Sequence, residues 1–332
     1  MSPDDVAADR PARITALGGG HGLHATLTAL RRLDEDLTAV VTVADNGGSS
    51  GRLRGEFGVL PPGDLRMALA ALCGDSEWGQ TWERVVQHRF AGDGEMKGHV
   101  VGNLLIVALW ELLGDHVDAL DWMGRLLGAR GRVLPMAITP MDITAQVRGL
   151  DPADPEATAT IRGQVEVATT GGQLVTIALD PPDPQACPEA LDAVTSADWV
   201  VLGPGSWYTS VIPHLMVPDL RKALVETAGR VIVVLNLEGQ QGETTGYAPE
   251  DHLAALLEHA PELRLHTVLA DSRSVTDHDT LDQAIASAGA ALVVADVAMD
   301  DGSPRHDPGK LAAAFRLIMS GSQDELSGPT AG

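Results

Sequence analysis

At 332 residues the chain can bury either one large α/β core or two smaller ones, and length alone does not choose between them. Its 44% hydrophobic content is spread along the sequence with no run near the ~18 apolar residues of a membrane-spanning helix, and a formal net charge of −23 sets the surface against nucleic acid and anionic membranes. The two cysteines, Cys73 and Cys187, stand far apart and in no C-x-x-C pattern, which excludes a disulfide framework and a zinc site.

The opening residues, "MSPDDVAADRPAR", are acidic and lack the apolar segment of a signal peptide, so residues 1–12 read as a disordered lead-in and the expected location is cytoplasmic. "ARITALGGGHG" reads as a short apolar strand entering a glycine turn, and "LHATLTALRRL" continues with apolar positions at helical spacing. "LTAVVTV" is a second strand, whose nearly continuous apolar character suits a parallel sheet covered on both faces. "VADNGGSSGRLRGEFGVLPPGD" follows as a long polar loop, and such loops inside compact domains are functional more often than incidental. Asp64 is expected to cap a helix over "LRMALAALC", with further helices over "EWGQTWERVVQHRF", "VVGNLLIVALWELLG" and "VDALDWMGRLLG". From Val133 the runs "VLPMAI", "DITAQVRGL", "GQVEVAT" and "QLVTIAL" are short, alternating or β-branched, and predict an antiparallel insertion over about residues 132–180. Strand–helix alternation returns from "ADWVVLGPGS" to "ALVVADV". The predicted architecture is a single Rossmann-like α/β domain over residues 13–318, a doubly wound, mostly parallel sheet with a small β-rich insertion, followed by a flexible tail over 319–332.

Several places carry candidate ligand chemistry. The first turn contains Gly20-x-Gly22-x-x-Ala25, and Asp45 follows about twenty residues later. This is the looser form of the dinucleotide fingerprint: glycines let a diphosphate approach a helix N-terminus, and the acid takes a ribose hydroxyl. Gly19 belongs to the same turn, and His21 is either a packing residue or a base; the bland alternative is a tight turn that needs only positive φ. In the long loop, consecutive Gly47, Gly48, Ser49, Ser50 and Gly51 can turn N–H groups and two hydroxyls toward one anion while Arg52 or Arg54 grips it bidentately, with Asn46 just before them as a further candidate contact; the alternative is that some of the arginines pair with Glu56 or Asp64. The stiff corner Pro61-Pro62-Gly63-Asp64 brings a carboxylate near the same region. "GHVVGNLLI" sets His99 and Asn103 on one helical face, where the Asn103 amide serves either a ligand or neighbouring backbone. In the second half, Gly203, Gly205 and Ser206 form a backbone nest after a buried strand. Asn236, Gln241, Glu243 and Thr244 follow another strand with groups suited to sugar or base edges, Glu243 being alternatively a structural carboxylate. Arg305-His306-Asp307 is either a charged lid or a solvated turn.

These motifs, taken in order as "GGGHGL", "VTVADNGGSSGRLR", "PPGDLR", "GHVVGNLL", "GPGSWYTSVIPHL", "QGETTGYAPEDHL" and "RHD", resemble the YvcK (GlmR) gluconeogenesis-factor family of the CofD-like superfamily from about Ile14 to Leu317. The resemblance implies a Rossmann-like fold and a cytosolic protein that binds UDP-sugars, notably UDP-N-acetylglucosamine. It also implies a role linking central carbon metabolism to cell-wall precursor supply and cell shape, with Arg305 as a contact for the nucleotide sugar. The family's "GGGTG" is "GGGHG" here, its "RN" after the PPGD corner is Arg66-Met67, and its "MTQ" is "EGQ". Related CofD enzymes transfer a phospholactyl-type group from a nucleotide diphosphate to a deazaflavin and carry a paired aspartate where this chain has Asp45-Asn46.

The leading expectation is a nucleotide-sugar binding regulator that requires no cofactor. Glycines 19, 20 and 22 with Ser49, Ser50, Arg52 and Arg54 hold diphosphate, Asp45 and Asn236 approach ribose or base, and Arg305 closes over the ligand. Its expected partners are the UDP-sugar, an enzyme of amino-sugar synthesis and a second copy of itself, with no nucleic acid, membrane or bound metal. The alternative is a nucleotidyl or phospholactyl transferase in which Asp45 and Asp64 place Mg²⁺. A dehydrogenase is disfavoured because no hydride-transfer base accompanies the fingerprint.

Overall fold

The first apolar run forms β1 (Arg13–Gly18), with every residue after Arg13 buried, and it is an interior strand of the chain's main sheet. The computed structural model describes residues 10–33 and 35–321. In chain order β1 is followed by α1 (Gly20–Leu30), β2 (Asp36–Val41), α2 (Gly48–Phe57), α3 (Gly63–Leu72), α4 (Glu77–Gln87), α5 (Val101–Leu113), α6 (His116–Leu127) and β3 (Arg132–Pro135). The insertion comprises β4 (Asp142–Arg148), β5 (Thr158–Arg162), α7 (Gln164–Ala168) and β6 (Gln173–Asp180). The second half runs α8 (Pro188–Thr195), β7 (Trp199–Leu202), a π-helical turn (Trp207–Val211), α9 (Pro213–Met216), α10 (Pro218–Glu226), β8 (Arg230–Val234) and α11 (Pro249–His259). It ends with β9 (Thr267–Asp271), α12 (His278–Ser287), β10 (Ala291–Ala295) and α13 (Pro308–Met319).

The main sheet has the order β10-β9-β8-β7-β1-β2-β3 and every pairing in it is parallel. Strands buried on both faces explain the unbroken apolar runs, since β7 and β8 are covered almost entirely. Helix α1 packs between α3 and α13, while α8 packs on α10. The expected lead-in and tail fall mainly on residues 1–9 and 322–332, outside the described residues. Within them, Arg10 forks onto Asp198 at 2.8 and 2.7 Å, so the chain is already engaged before β1.

Four local expectations are corrected. The stretch read as a long loop contains the ten-residue helix α2, bounded by an extended Gly47 and by Gly58 in the left-handed region. It carries no amphipathic signal because only Ser49, Ser50 and Leu53 are buried. "VLPMAI" contributes β3 to the parallel sheet, pairing with β2 over Thr38–Val41, so the antiparallel insertion begins only at Asp142. "GQVEVAT" is the short helix α7 rather than a strand: Asn46, far away in sequence, accepts from the Val165 N–H at 3.0 Å and donates to Glu166 at 2.7 Å, partnering its first turn. Asp64 lies inside the first turn of α3, whose N-cap is Pro62.

Helix α2 bends back so tightly on its own approach that a Cβ on Gly51 would sit 1.9 Å from the Asn46 carbonyl oxygen. Replacing glycine by alanine inside a helix ordinarily stabilises by ~1 kcal/mol. Here the sign is expected to reverse. Gly51→Ala should lose about 1–3 kcal/mol in urea denaturation, because a backbone carbonyl, unlike a side-chain tip, cannot move aside.

Candidate functional site

The strand order reverses between β1 and β7: the chain leaves β1 toward β2 on one side and leaves β7 toward β8 on the other. Connections that diverge at the carboxyl ends of adjacent parallel strands leave a crevice, the standard ligand position of doubly wound sheets. Its walls are held at a fixed separation. A Cβ on Gly22 would fall 2.1 Å from the Pro204 carbonyl oxygen, so the turn after β1 and the turn after β7 meet only because residue 22 has no side chain. Asn236, just after β8, clamps the same turn from the other side, accepting from the Gly205 N–H at 3.0 Å and donating to the Gly205 carbonyl at 2.9 Å.

Above this junction lies a cavity of about 600 Å³. Its walls are the first turns of α1 (His21, Gly22, His24 and Ala25), Pro204 and Gly205, residues 236–241, and the segment from Met299 to Pro308. That last segment is a hairpin: Ala298 bridges His306, the Met299 N–H donates to the Arg305 carbonyl at 2.8 Å, and Asp307 N–H donates to Val297 at 2.8 Å. Asp271 secures its base by accepting from the Val297 and Ala298 N–H groups at 2.7 and 2.9 Å. Arg305 is the one guanidinium among the lining residues, held by Ser303 at 3.0 Å and Asp301 at 2.9 Å with most of its side chain exposed. The head of α1 carries no acidic residue in its first turn, so its partial positive charge faces the cavity unopposed from its own helix.

The family described as "2-phospho-L-lactate transferase CofD" matches residues 14–304. A Mycobacterium leprae protein named "Putative gluconeogenesis factor" is 50% identical over 329 residues, covering 98% of this chain and 90% of its own. This chain belongs to the gluconeogenesis-factor (YvcK) family of CofD-like proteins. The Bacillus subtilis "Gluconeogenesis factor" is 36% identical over 265 residues, 80% of each chain. The crystal structure of a Bacillus halodurans protein superposes with a TM-score of 0.82 at 30% identity, covering 92% of this chain and all of its own.

Within this family member the residues singled out from sequence separate into four groups. Lining the cavity are His21, Gly22, Gly205, Asn236, Gln241 and Arg305. Beneath the glycine turn sit Asp45 and Asp64, with Asp64 against Gly19, and Asp45 and Ser50 against Gly63. The Gly20 N–H is spent on Asp64, and the Gly47 N–H donates to Asp45 at 2.8 Å. A third group is internal. Ser49 accepts from the Val100 N–H and the Asn103 amide, both at 3.2 Å, and Asn103 accepts from Arg66 at 3.0 Å. Glu243 and Thr244 form the fourth: Glu243 accepts from the Tyr208 N–H at 2.9 Å and the Thr209 hydroxyl at 2.7 Å, and Thr244 accepts from the Gln240 N–H at 2.8 Å. Glu243 is therefore a structural carboxylate that heads the π-helical turn beginning after Ser206, and Gly203 accepts from the Thr26 hydroxyl at 3.0 Å.

The phosphate grip expected of Arg52 and Arg54 is not where these side chains are placed. Arg54 pairs with Asp142 of the insertion at 2.6 Å, and Arg52 donates to the carbonyls of Lys97 and Glu95 at 2.8 and 3.3 Å. Asn46 is likewise committed to α7, and Asn236 spends its amide on Gly205 rather than presenting it wholly to a ligand. His24 and Met299 escaped the sequence reading. His24 follows His21 by three residues, one helical turn, which is the signal that places it on the same face; nothing local marks Met299.

Asp64 keeps part of its surface accessible, yet protein surrounds its carboxyl, and burial, reinforced by the charge of Asp45, pushes its pKa up to about 7 against the opposing Gly20 N–H and Arg66. Burial also draws Arg66 down to about 10. The hydroxyls of Ser50 and Thr42 are buried without a hydrogen-bond partner among the described residues; the Ser50 hydroxyl packs against Gly63, whereas Thr42 turns its methyl to Gly19. Two carboxylates and the Ser50 hydroxyl are a donor set that Mg²⁺ could use if phosphate oxygens completed its shell. Among the described residues no cluster of three or more His, Cys, Asp or Glu is arranged to hold a metal by itself.

A raised carboxyl pKa makes the folded state hold its proton more tightly than the unfolded chain does. That contribution is complete below about pH 4 and is lost as pH rises through about 7. Asp64→Asn keeps an acceptor for the Gly20 N–H but cannot ionise. Measured by denaturation at pH 4 and pH 8, its stability relative to wild type should rise by about 1–3 kcal/mol at the higher pH. An unchanged difference between the two pH values would show that Asp64 titrates normally.

Proposed function

We propose that the chain is a UDP-sugar binding regulator whose ligand is UDP-N-acetylglucosamine, acting in the cytoplasm to link central carbon metabolism to cell-wall precursor synthesis and cell shape. The observation that carries this reading is the cavity at the strand-order reversal, with the head of α1 on one wall and Arg305 on the other. Backbone N–H groups at a helix N-terminus favour a diphosphate, and a guanidinium able to fork onto phosphate oxygens supplies the second contact. Residues 236–241 provide polar edges for the nucleoside or hexose. Binding would favour one arrangement of the hairpin bearing Arg305, and an enzyme of amino-sugar synthesis would read that arrangement.

A second reading is favoured by the Asp45–Asp64 pair with the unpartnered Ser50 hydroxyl beside it. Mg²⁺ held there would neutralise charge on a diphosphate, as a nucleotidyl or phospholactyl transferase needs. The two readings separate on turnover: repeated product formation from nucleotide diphosphate substrates that Asp64→Asn abolishes would establish the enzyme and overturn the regulator.

For the regulator, UDP-N-acetylglucosamine should raise the melting temperature well beyond any effect of NAD, since a ligand that binds only the folded state stabilises it by mass action. Equal shifts from the two would count against the reading. In calorimetric titrations Arg305→Ala should weaken the UDP-sugar by roughly 10- to 100-fold, the equivalent of one charged hydrogen-bonded contact. Arg52→Ala and Arg54→Ala should stay within about 3-fold of wild type if folded, because both guanidiniums are engaged with protein. The reverse pattern would place the diphosphate over α2 instead.

A further inference from the structure

Among the described residues that line the cavity, Arg305 and Glu238 are the only Arg, Lys, Asp or Glu, Arg305 on the hairpin and Glu238 on the segment after β8. They do not neutralise each other. Arg305 is engaged by Ser303 and Asp301, while the Glu238 side chain is exposed and has neither a hydrogen bond nor an ion pair among the described residues. The backbone around Glu238 is nevertheless held on both sides. The Leu237 carbonyl accepts from the Ser274 hydroxyl, a Cβ on Gly239 would fall 2.3 Å from the Thr244 carbonyl oxygen, and the Gln240 N–H donates to the Thr244 hydroxyl at 2.8 Å. Two residues earlier, Asn236 is clamped to Gly205. A free carboxylate therefore stands on a fixed segment of the cavity wall.

A carboxylate only accepts hydrogen bonds, so a diphosphate, rich in acceptors and of the same charge, is repelled by it. The cavity is thus electrically polar, attracting an anion at the head of α1 and at Arg305 and repelling one at Glu238. A ligand with an anionic part and a neutral part is oriented by that field, its neutral part toward Glu238. Uracil offers there a single N–H flanked by two carbonyls, which a carboxylate disfavours. Two vicinal hydroxyls offer one donor to each carboxylate oxygen. We infer that Glu238 accepts hydrogen bonds from a vicinal diol of the bound ligand, on its ribose or on its hexose, and so discriminates against ligands that lack the diol or carry a further negative charge beside it. This rests on the nucleotide-sugar reading of the cavity and adds a specificity-determining residue to it. Strands β1 and β8 are two places apart in the sheet. The turns that follow them are therefore roughly 10 Å apart, within the span of a ribose or a hexose attached to a diphosphate at the glycine turn.

The test is a double-mutant cycle between protein and ligand. Wild type, Glu238→Gln and Glu238→Leu are titrated calorimetrically with UDP-N-acetylglucosamine, its 2′-deoxyribose analogue and its 3-deoxyhexose analogue, and with the pair UDP-glucose and UDP-glucuronate. Glu238 has no partner in the fold, so neither substitution removes a contact that folding uses. Wild type should bind the analogue that lacks one hydroxyl of the diol roughly 10-fold or more weakly than the parent. Glu238→Leu should bind the two alike. Glu238→Gln, which keeps one carbonyl acceptor, should retain part of the difference. A loss with the 2′-deoxyribose analogue assigns the diol to the ribose, and a loss with the deoxyhexose analogue assigns it to the hexose. In the second case wild type should also bind UDP-glucuronate several-fold more weakly than UDP-glucose, and Glu238→Gln should remove that preference. If wild type binds both deoxy analogues as tightly as the parent, a result that needs no variant, the inference fails while the nucleotide-sugar reading stands. The same holds if both variants discriminate as wild type does. If UDP-N-acetylglucosamine does not bind wild type at all, both fail.

Discussion

The structure depends on the contact between the turn after β1 and the turn after β7, where Gly22 stands against the Pro204 carbonyl at a separation no Cβ permits. That contact closes the floor of the crevice made by the reversal of strand order, and it aims the head of α1 at the space above. Asn236 braces the same floor from β8 through both polar groups of Gly205. The roof of the site is the hairpin from Met299 to Pro308. Asp271 pins the base of that hairpin, and Arg273 and Lys310 bind Asp296 and Asp300 along its side. The exposed ion pairs individually contribute little, whereas the buried Asp271 contacts to backbone N–H groups resist rotation of the hairpin stem.

The polar stretch after β2 shows how a segment without an apolar face becomes ordered. Helix α2 buries little hydrocarbon and is held by specific partners instead: Ser49 by Val100 and Asn103, Arg54 by Asp142, and Arg52 by backbone carbonyls of the 95–97 segment. Arg54 and Asn46 both reach into the insertion, so the small antiparallel sheet is locked to the edge of the site by polar contacts on two sides. Charge density that reads as a ligand loop in one dimension serves largely as domain bracing. Its carboxylates gather under the glycine turn, where burial and the neighbouring charge of Asp45 push the Asp64 carboxyl up to about 7.

What the sequence determined by itself was whatever neighbouring residues decide together. Apolar runs bounded by glycine and proline specified parallel strands buried on both faces, the Gly20-x-Gly22 spacing specified a close approach at a helix head, and the ordered motifs specified the family. The resemblance also pointed to Arg305, which the structure places among the residues lining the cavity. The tertiary structure decided where polar side chains spend their hydrogen bonds, because those partners lie far away in the chain. Arg54 is 88 residues from Asp142, and Asn46 is 119 from Val165. Periodicity was silent on α2 because a helix held by such contacts needs no apolar stripe, and it misread α7 because β-branched residues yield to a cap supplied from elsewhere. The same reason separates Arg305 from His306. Adjacent residues in a polar turn look alike in sequence, and only burial makes one of them a neutral imidazole while the other remains a cation at the cavity mouth.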